Sequence, residues 1–262
     1  MACVRTPIEA SLDRWHECHW HLHQMEVNYH EPDPFRYALN SFIRAMADVP
    51  ALLKKNLERH ESVRHAIKPK LKELESTELF KVLCIRRNFI VHQGMLKVES
   101  HGSVRTMEAS KVKLSFPFRV EPWESSDEAY ERYKQVCRTD KFWRGIGPDC
   151  DSSPAIWRTW MIPQFPGREL LDVAFEAWKL VGDVLSAAVT EFGGEPLVLT
   201  MPCRHDPGHV RLKRFSQREF FNSVDRIDLN EEERKWKKQL AKAGDSIIKA
   251  HSQALNIQLL AA

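Results

Sequence analysis

Glycine-rich phosphate loops, a nucleophile elbow and the H-E-x-x-H helix are all missing from this chain of 262 residues, so kinase, α/β-hydrolase and metalloprotease chemistry have no foothold. No two cysteines form a C-x-x-C pair. Six are scattered at positions 3, 18, 84, 137, 150 and 203, which fits reduced thiols in a cytoplasm better than a disulfide frame or a structural zinc site. Charge of one sign is also lacking: 39 basic against 36 acidic residues leave +3, so any polyanion site has to be local. No apolar run approaches the roughly 18 residues of a membrane span, and the beginning, MACVRTPIEASLDRW, has no basic region followed by an apolar stretch. The expectation is a cytoplasmic protein with no membrane segment and no bound cofactor or metal. What is present in quantity is apolar: 43% of residues, with eight Trp and thirteen Phe, enough for a packed core.

The first 95 residues read as helices. Trp15, Cys18, Leu22, Met25 and Tyr29 recur at steps of three and four, as do Leu39, Phe42, Met46, Val49 and Leu53 after the turn EPDP, where Pro50 should kink the second helix. Residues 60–74 form a more polar helix entered or bent at Pro69. Ser76, Thr77 and Glu78 offer an N-cap with an acidic first turn, and the helix that follows stops at Gly94, a natural C′ residue. Residues 96–168 change character. Alternation through MLKVES and from Val104 to Val120 suggests two or three strands, residues 126–138 a short helix, and residues 139–168, with four prolines, three glycines and three tryptophans, an irregular loop. From 169 to 262 come a long helix with Leu170, Val173, Ala174, Ala177, Val181, Val184 and Leu185 on one side, a strand at PLVLTMP, a basic loop, and a charged helix from Asn230. The expected fold is mainly α, a helical bundle with a small accessory β-sheet and a C-terminal helix, compact as one domain.

Residues 85–94, IRRNFIVHQG, set polar groups into an apolar helix. Leu79, Val82, Leu83, Ile85, Phe89 and Ile90 cover one arc, while Phe80 and Val91 lie outside it, so the helix should be covered on two sides, by this chain or by a second copy. Asn88 and His92 are one turn apart. Arg87 and His92 diverge by about 140° on an ideal helix, so a complete site forms most readily from two copies. Arg86 falls within the apolar arc and needs a carboxylate partner or an interface.

Arg87-Asn88-x-x-x-His92 resembles the R-x(4–6)-H signature of the HEPN superfamily, in its common RN-x-x-x-H form. That resemblance implies an up-and-down HEPN-like bundle, a homodimer, and a metal-independent endoribonuclease of the toxin or phage-defence kind with a possible antitoxin or regulatory protein as partner. In its terms His92 is general acid or base at the 2′-hydroxyl or leaving oxygen, Arg87 holds the scissile phosphate, and Asn88 orients one of them. Gly94 stands where some members carry a tyrosine that an antitoxin modifies. The alternative it carries is a non-catalytic module that binds RNA, nucleotide or a protein partner.

Around this centre, His30 and Arg36 flank the first interhelical turn and could border the same cleft. The segment RHDPGHVRLKRFSQR, residues 204–218, offers Arg211, Lys213 and Arg214 beside Phe215 as the best local phosphate patch. Trp143, Trp157 and Trp160 either stack bases or seal a satellite core. His16, His19 and His23 share a helix face at a spacing that can bind zinc or nickel, with Cys18 and Glu26 close but no evident fourth ligand, and Cys203-x-His205-x-x-x-His209 is half of a zinc pattern with no second half; both are expected to be solvated surface or loop, with a small metal-dependent enzyme on the His16, His19 and His23 face as a third reading.

Overall fold

The structure, a computed structural model, describes residues 7–200 and 203–224; the charged helix expected from Asn230 lies outside them. Its helices are α1 (Glu9–Val27), α2 (Pro32–Asn56), α3 (Glu61–Ser76), α4 (Glu78–His92), α5 (Ser126–Thr139), α6 (Lys141–Gly145), α7 (Leu170–Glu191), α8 (Pro207–Arg211) and α9 (Gln217–Val224), with strands β1 (Glu99–Glu108), β2 (Lys111–Pro117), β3 (Ser153–Met161) and β4 (Leu212–Arg214). The fold is mainly helical with one small sheet. None of the described helices is long and apolar enough to cross a membrane.

The helical layer is built as its periodicity dictates. Phe35, Leu39, Phe42, Met46, Val49 and Leu53 of α2 are buried against Trp15, Leu22 and Met25 of α1 and Trp178, Val181 and Leu185 of α7. Trp15 stacks on Trp178 at 4.3 Å between ring centroids and donates its indole N–H to the Trp178 carbonyl. Neither Pro50 nor Pro69 ends its helix. Thr77 caps α4 by accepting from the Phe80 N–H, and Gly94 takes φ +137° just past its end. Glu169, buried, caps α7 by accepting from the Leu171 and Asp172 N–H groups and from the Tyr29 hydroxyl, and burial pushes its carboxyl above the usual range.

The sheet has the order β2-β1-β3-β4, antiparallel throughout. Its central strand lies where an irregular loop was expected. Pro154 opens β3 and Arg158 occupies an inward position between Ile156 and Trp160, so the apolar alternation that marks a strand is interrupted twice. Arg158 is fully buried: it lies over the Trp160 ring at 3.7 Å and donates to the Glu124 and Glu121 carbonyls and to Ser100 Oγ. Opposite it, Gly102 leaves the space in which the chain at Phe118–Val120 passes, since a Cβ there would sit 2.3 Å from Val120 Cγ2. Ile156 packs into a second core with Val104, Phe118, Val120, Tyr130, Tyr133 and Phe220, whereas Trp160 belongs to the helical one.

Two further expectations are corrected. Residues 196–200 of PLVLTMP form no strand; the Leu197 N–H donates instead to Ser186 Oγ on α7. Residues 204–218 are not a loop but contain α8, β4 and the start of α9, ordered by the Asp206 cap and by β4 pairing with β3.

Candidate functional site

The polar residues of α4 do not assemble within one chain. Arg87 reaches back to α2, where Nη2 lies 3.3 Å from Asp48 Oδ1, and its Nη1 lies 3.4 Å from the Asn88 amide oxygen. Asn88 and His92 are exposed, and His92 has no hydrogen-bond or ion-pair partner among the described residues. Arg86 has no carboxylate partner there either: its Nε is buried without a hydrogen bond beside a cavity shared with Phe89, Leu96, Lys97, Pro163 and Gln164. The apolar arc is also narrower than the sequence suggests. Leu79, Phe80 and Leu83 are buried, but Ile85 is 61% exposed and Val91 44%.

The flanking residues are taken up elsewhere. His30 Nδ1 lies 2.7 Å from Ser126 Oγ at the start of α5; burial, then Lys213 and Arg158, pull its imidazole down to about 4. Arg36 pairs with Asp33 on its own helix. No described contact brings either residue to His92.

Three cations of the basic segment after residue 203 are paired with carboxylates of the same chain. Arg204 and Arg211 share Asp172 at 2.5 Å each, Arg211 also faces Glu169, Lys213 lies 2.6 Å from Asp127, and Arg214 donates to the Ala109 carbonyl. Arg204, Arg211 and Lys213 fasten the segment to α7 and α5, which leaves Arg214 as the exposed cation of the expected phosphate patch without a carboxylate among the described residues. The tryptophans are structural as well: Trp160 is buried and donates to the Tyr29 carbonyl, Trp143 packs in the second core, and Trp157 lies under Arg105.

A basic surface that the sequence reading passed over as merely polar lies on α3. Arg64, Lys68 and Lys72 are spaced by four and therefore line one stripe. With Lys54, Leu57, His65, Leu71 and Glu75 they surround a cavity of about 490 Å³. Leu57 and Leu71 are buried and give it an apolar floor. Lys54 is held by Glu75 at 2.5 Å, and Arg64 and His65 are 3.8 Å from Glu61. Lys68 and Lys72 have no carboxylate within ion-pair distance among the described residues. Four permanent cations, Lys54, Arg64, Lys68 and Lys72, against the two carboxylates Glu75 and Glu61 favour an anion. An apolar floor under a cationic rim suits a ligand that is charged along one edge and flat or apolar along the other. The signal was available in the R-x-x-x-K-x-x-x-K spacing.

Comparison with known proteins corrects the resemblance drawn from the α4 motif. No curated protein and no solved structure matches the chain. The family model that matches, over residues 3–208, is that described as bacteriophage lambda protein ea47, and not one of the HEPN superfamily. The geometry shows why six residues were a weak guide: on α4 the arginine is bound to Asp48 and the histidine simply ends the helix.

Proposed function

This chain belongs to the family of bacteriophage lambda protein ea47, and we propose that it binds the phosphate backbone of a nucleic acid in the groove between the end of α2 and α3. The observation that carries this reading is the stripe Arg64, Lys68 and Lys72 beside an apolar floor, with two of the three lysines in the groove free of carboxylate partners among the described residues. Phosphates meet the rim cations, and sugar or base edges lie over the accessible edge of Leu71 and the aliphatic stems of the lysines. Three engaged phosphates on a single strand correspond to a slope of about −2 in log K against log salt concentration. Because Lys68 and Lys72 are exposed, replacing both with Glu leaves the fold intact. At about 50 mM salt the double variant should bind labelled RNA about 50-fold more weakly, with a slope near −0.7. Equal affinity and slope for the two proteins in an anisotropy titration would refute the proposal.

A second reading rests on α4. Ile85, Val91 and Met95 are exposed apolar side chains close to Arg87 and His92, and a second copy packed there would cover them and bring two motifs together as a ribonuclease site. In that reading RNA cleavage survives EDTA and is lost in His92→Ala, with the dimer unchanged.

A further inference from the structure

Two fragments of metal-binding pattern that are far apart in the sequence meet on the surface of α1. His19 and His23, one turn apart, direct Nε2 atoms to within 3.0 Å of each other. Cys203, which arrives from 180 residues further along the chain, places Sγ 3.2 Å from His23 Nε2 and 3.4 Å from His19 Nε2. Each donor therefore touches both others. In a tetrahedral zinc site with Zn–N of 2.0–2.1 Å and Zn–S of about 2.3 Å, neighbouring donor atoms stand about 3.3–3.6 Å apart. The observed triangle has that shape, slightly contracted, and a small outward shift of each side chain admits an ion at its centre.

The surroundings fix the donors in the form a metal needs. His23 Nδ1 lies 3.1 Å from Oε2 of Glu26, which is itself buried. A proton on Nδ1 shared with that carboxylate leaves the Nε2 lone pair facing the triangle, the usual arrangement behind a metal-bound imidazole. On the other side of the site Arg204, next to Cys203, is bound to Asp172 of α7 at 2.5 Å, lies over the Phe175 ring, and faces Glu26 at 3.8 Å. That clasp sets where the backbone bearing Cys203 runs, so the thiol is delivered to the two imidazoles by the fold. Without an ion, three lone-pair atoms crowd one another and only the protons of His19 and Cys203 are left to bridge them.

We propose that His19, His23 and Cys203 form a binding site for a divalent transition-metal ion, with zinc the best match to two imidazoles and one thiolate. The three side chains fill three tetrahedral positions. The fourth is left for water or an external ligand, as a partly exposed site allows. The ion would also cross-link α1 to the segment after residue 203. His16, His205 and His209, which belong to the two sequence patterns, are not in the cluster.

The test uses the full-length protein, stripped with a chelator and titrated with Co²⁺ as a spectroscopic substitute for Zn²⁺. One ion per chain should bind, with visible ligand-field bands and a near-ultraviolet sulfur-to-cobalt charge-transfer band, and Zn²⁺ should displace it. Cys203→Ser, at an exposed position, should abolish the charge-transfer band while circular dichroism stays unchanged. Glu26→Gln should weaken Zn²⁺ binding about 10- to 100-fold through loss of the outer carboxylate. Cys150→Ser, at another exposed thiol, should change nothing. A charge-transfer band that persists in Cys203→Ser, or no stoichiometric binding by the parent protein, overturns the proposal.

Discussion

His30 should make the protein acid-labile by a calculable amount. Its ring is enclosed where the end of α1 meets α5 and β4, with Ser126 Oγ at 2.7 Å on Nδ1 and the Val210 backbone beside it. Lys213 and Arg158 oppose a positive charge there and the Val210 backbone and Asp127 favour one, but burial is the largest effect, and together they hold the imidazole at about 4 against its ordinary 6.5. The folded state thus binds fewer protons than the unfolded state, so stability is fully present above 6.5 and is lost as pH falls toward 4. Worked through the two titrations, the loss between pH 7 and pH 4.5 is about 2 kcal/mol. Gln in place of His30 keeps a donor for Ser126 and cannot titrate. Urea unfolding of both proteins across this interval should show the stability difference between parent and His30→Gln shifting by about 2 kcal/mol against the parent at the acid end. A difference that stays constant from pH 7 to pH 4.5 would show that the folded protein accepts the proton freely and that the enclosure has been misjudged.

The other two expectations concern single side chains. Arg158→Met keeps the stack on Trp160 but leaves the Glu121 and Glu124 carbonyls without their donor, and should cost about 2–4 kcal/mol in chemical denaturation; an unchanged midpoint would mean that water replaces the guanidinium at no cost. Ile85→Asp, at a position 61% exposed on α4, should alter stability by less than about 0.5 kcal/mol, and sedimentation will reveal whether it changes the oligomeric state, which the cleavage reading of α4 requires and the groove reading does not.

The helices were legible because each carries one apolar stripe: Leu39, Phe42, Met46, Val49 and Leu53 point the same way at any rotation of α2, and all are buried. Thr77 and Gly94 could be recognised as ends because capping is local chemistry. The strand β3 was hidden since its inward face contains an arginine whose partners, the carbonyls of Glu121 and Glu124, lie more than thirty residues earlier in the chain. PLVLTMP had the composition of a strand, but in its described residues, 196–200, the Leu197 N–H goes to Ser186 Oγ on α7 and not to a neighbouring strand. Site residues fared worse for the same reason. Whether Arg87 or Arg211 is available for a phosphate depends on Asp48 and Asp172, residues that only tertiary packing brings near. His19 and His23 show their helical spacing, and Cys203 its own partial pattern, but nothing in the sequence joins the two across 180 residues. The α3 stripe was the one surface whose charge could have been read directly from helical spacing.

Arg158 stands on the single inward face of β3 where one hydrophobic cluster gives way to the other, Ile156 on one side and Trp160 on the other. Separating the helical layer from the sheet therefore requires drawing Trp160 out of the helical core and breaking the bonds from the Tyr29 hydroxyl to the Arg158 carbonyl and from the Trp160 indole to the Tyr29 carbonyl in the same event. The two halves should melt as one cooperative unit, and the amides of β3 should be among the slowest in the chain to exchange with deuterium, opening only when everything else does.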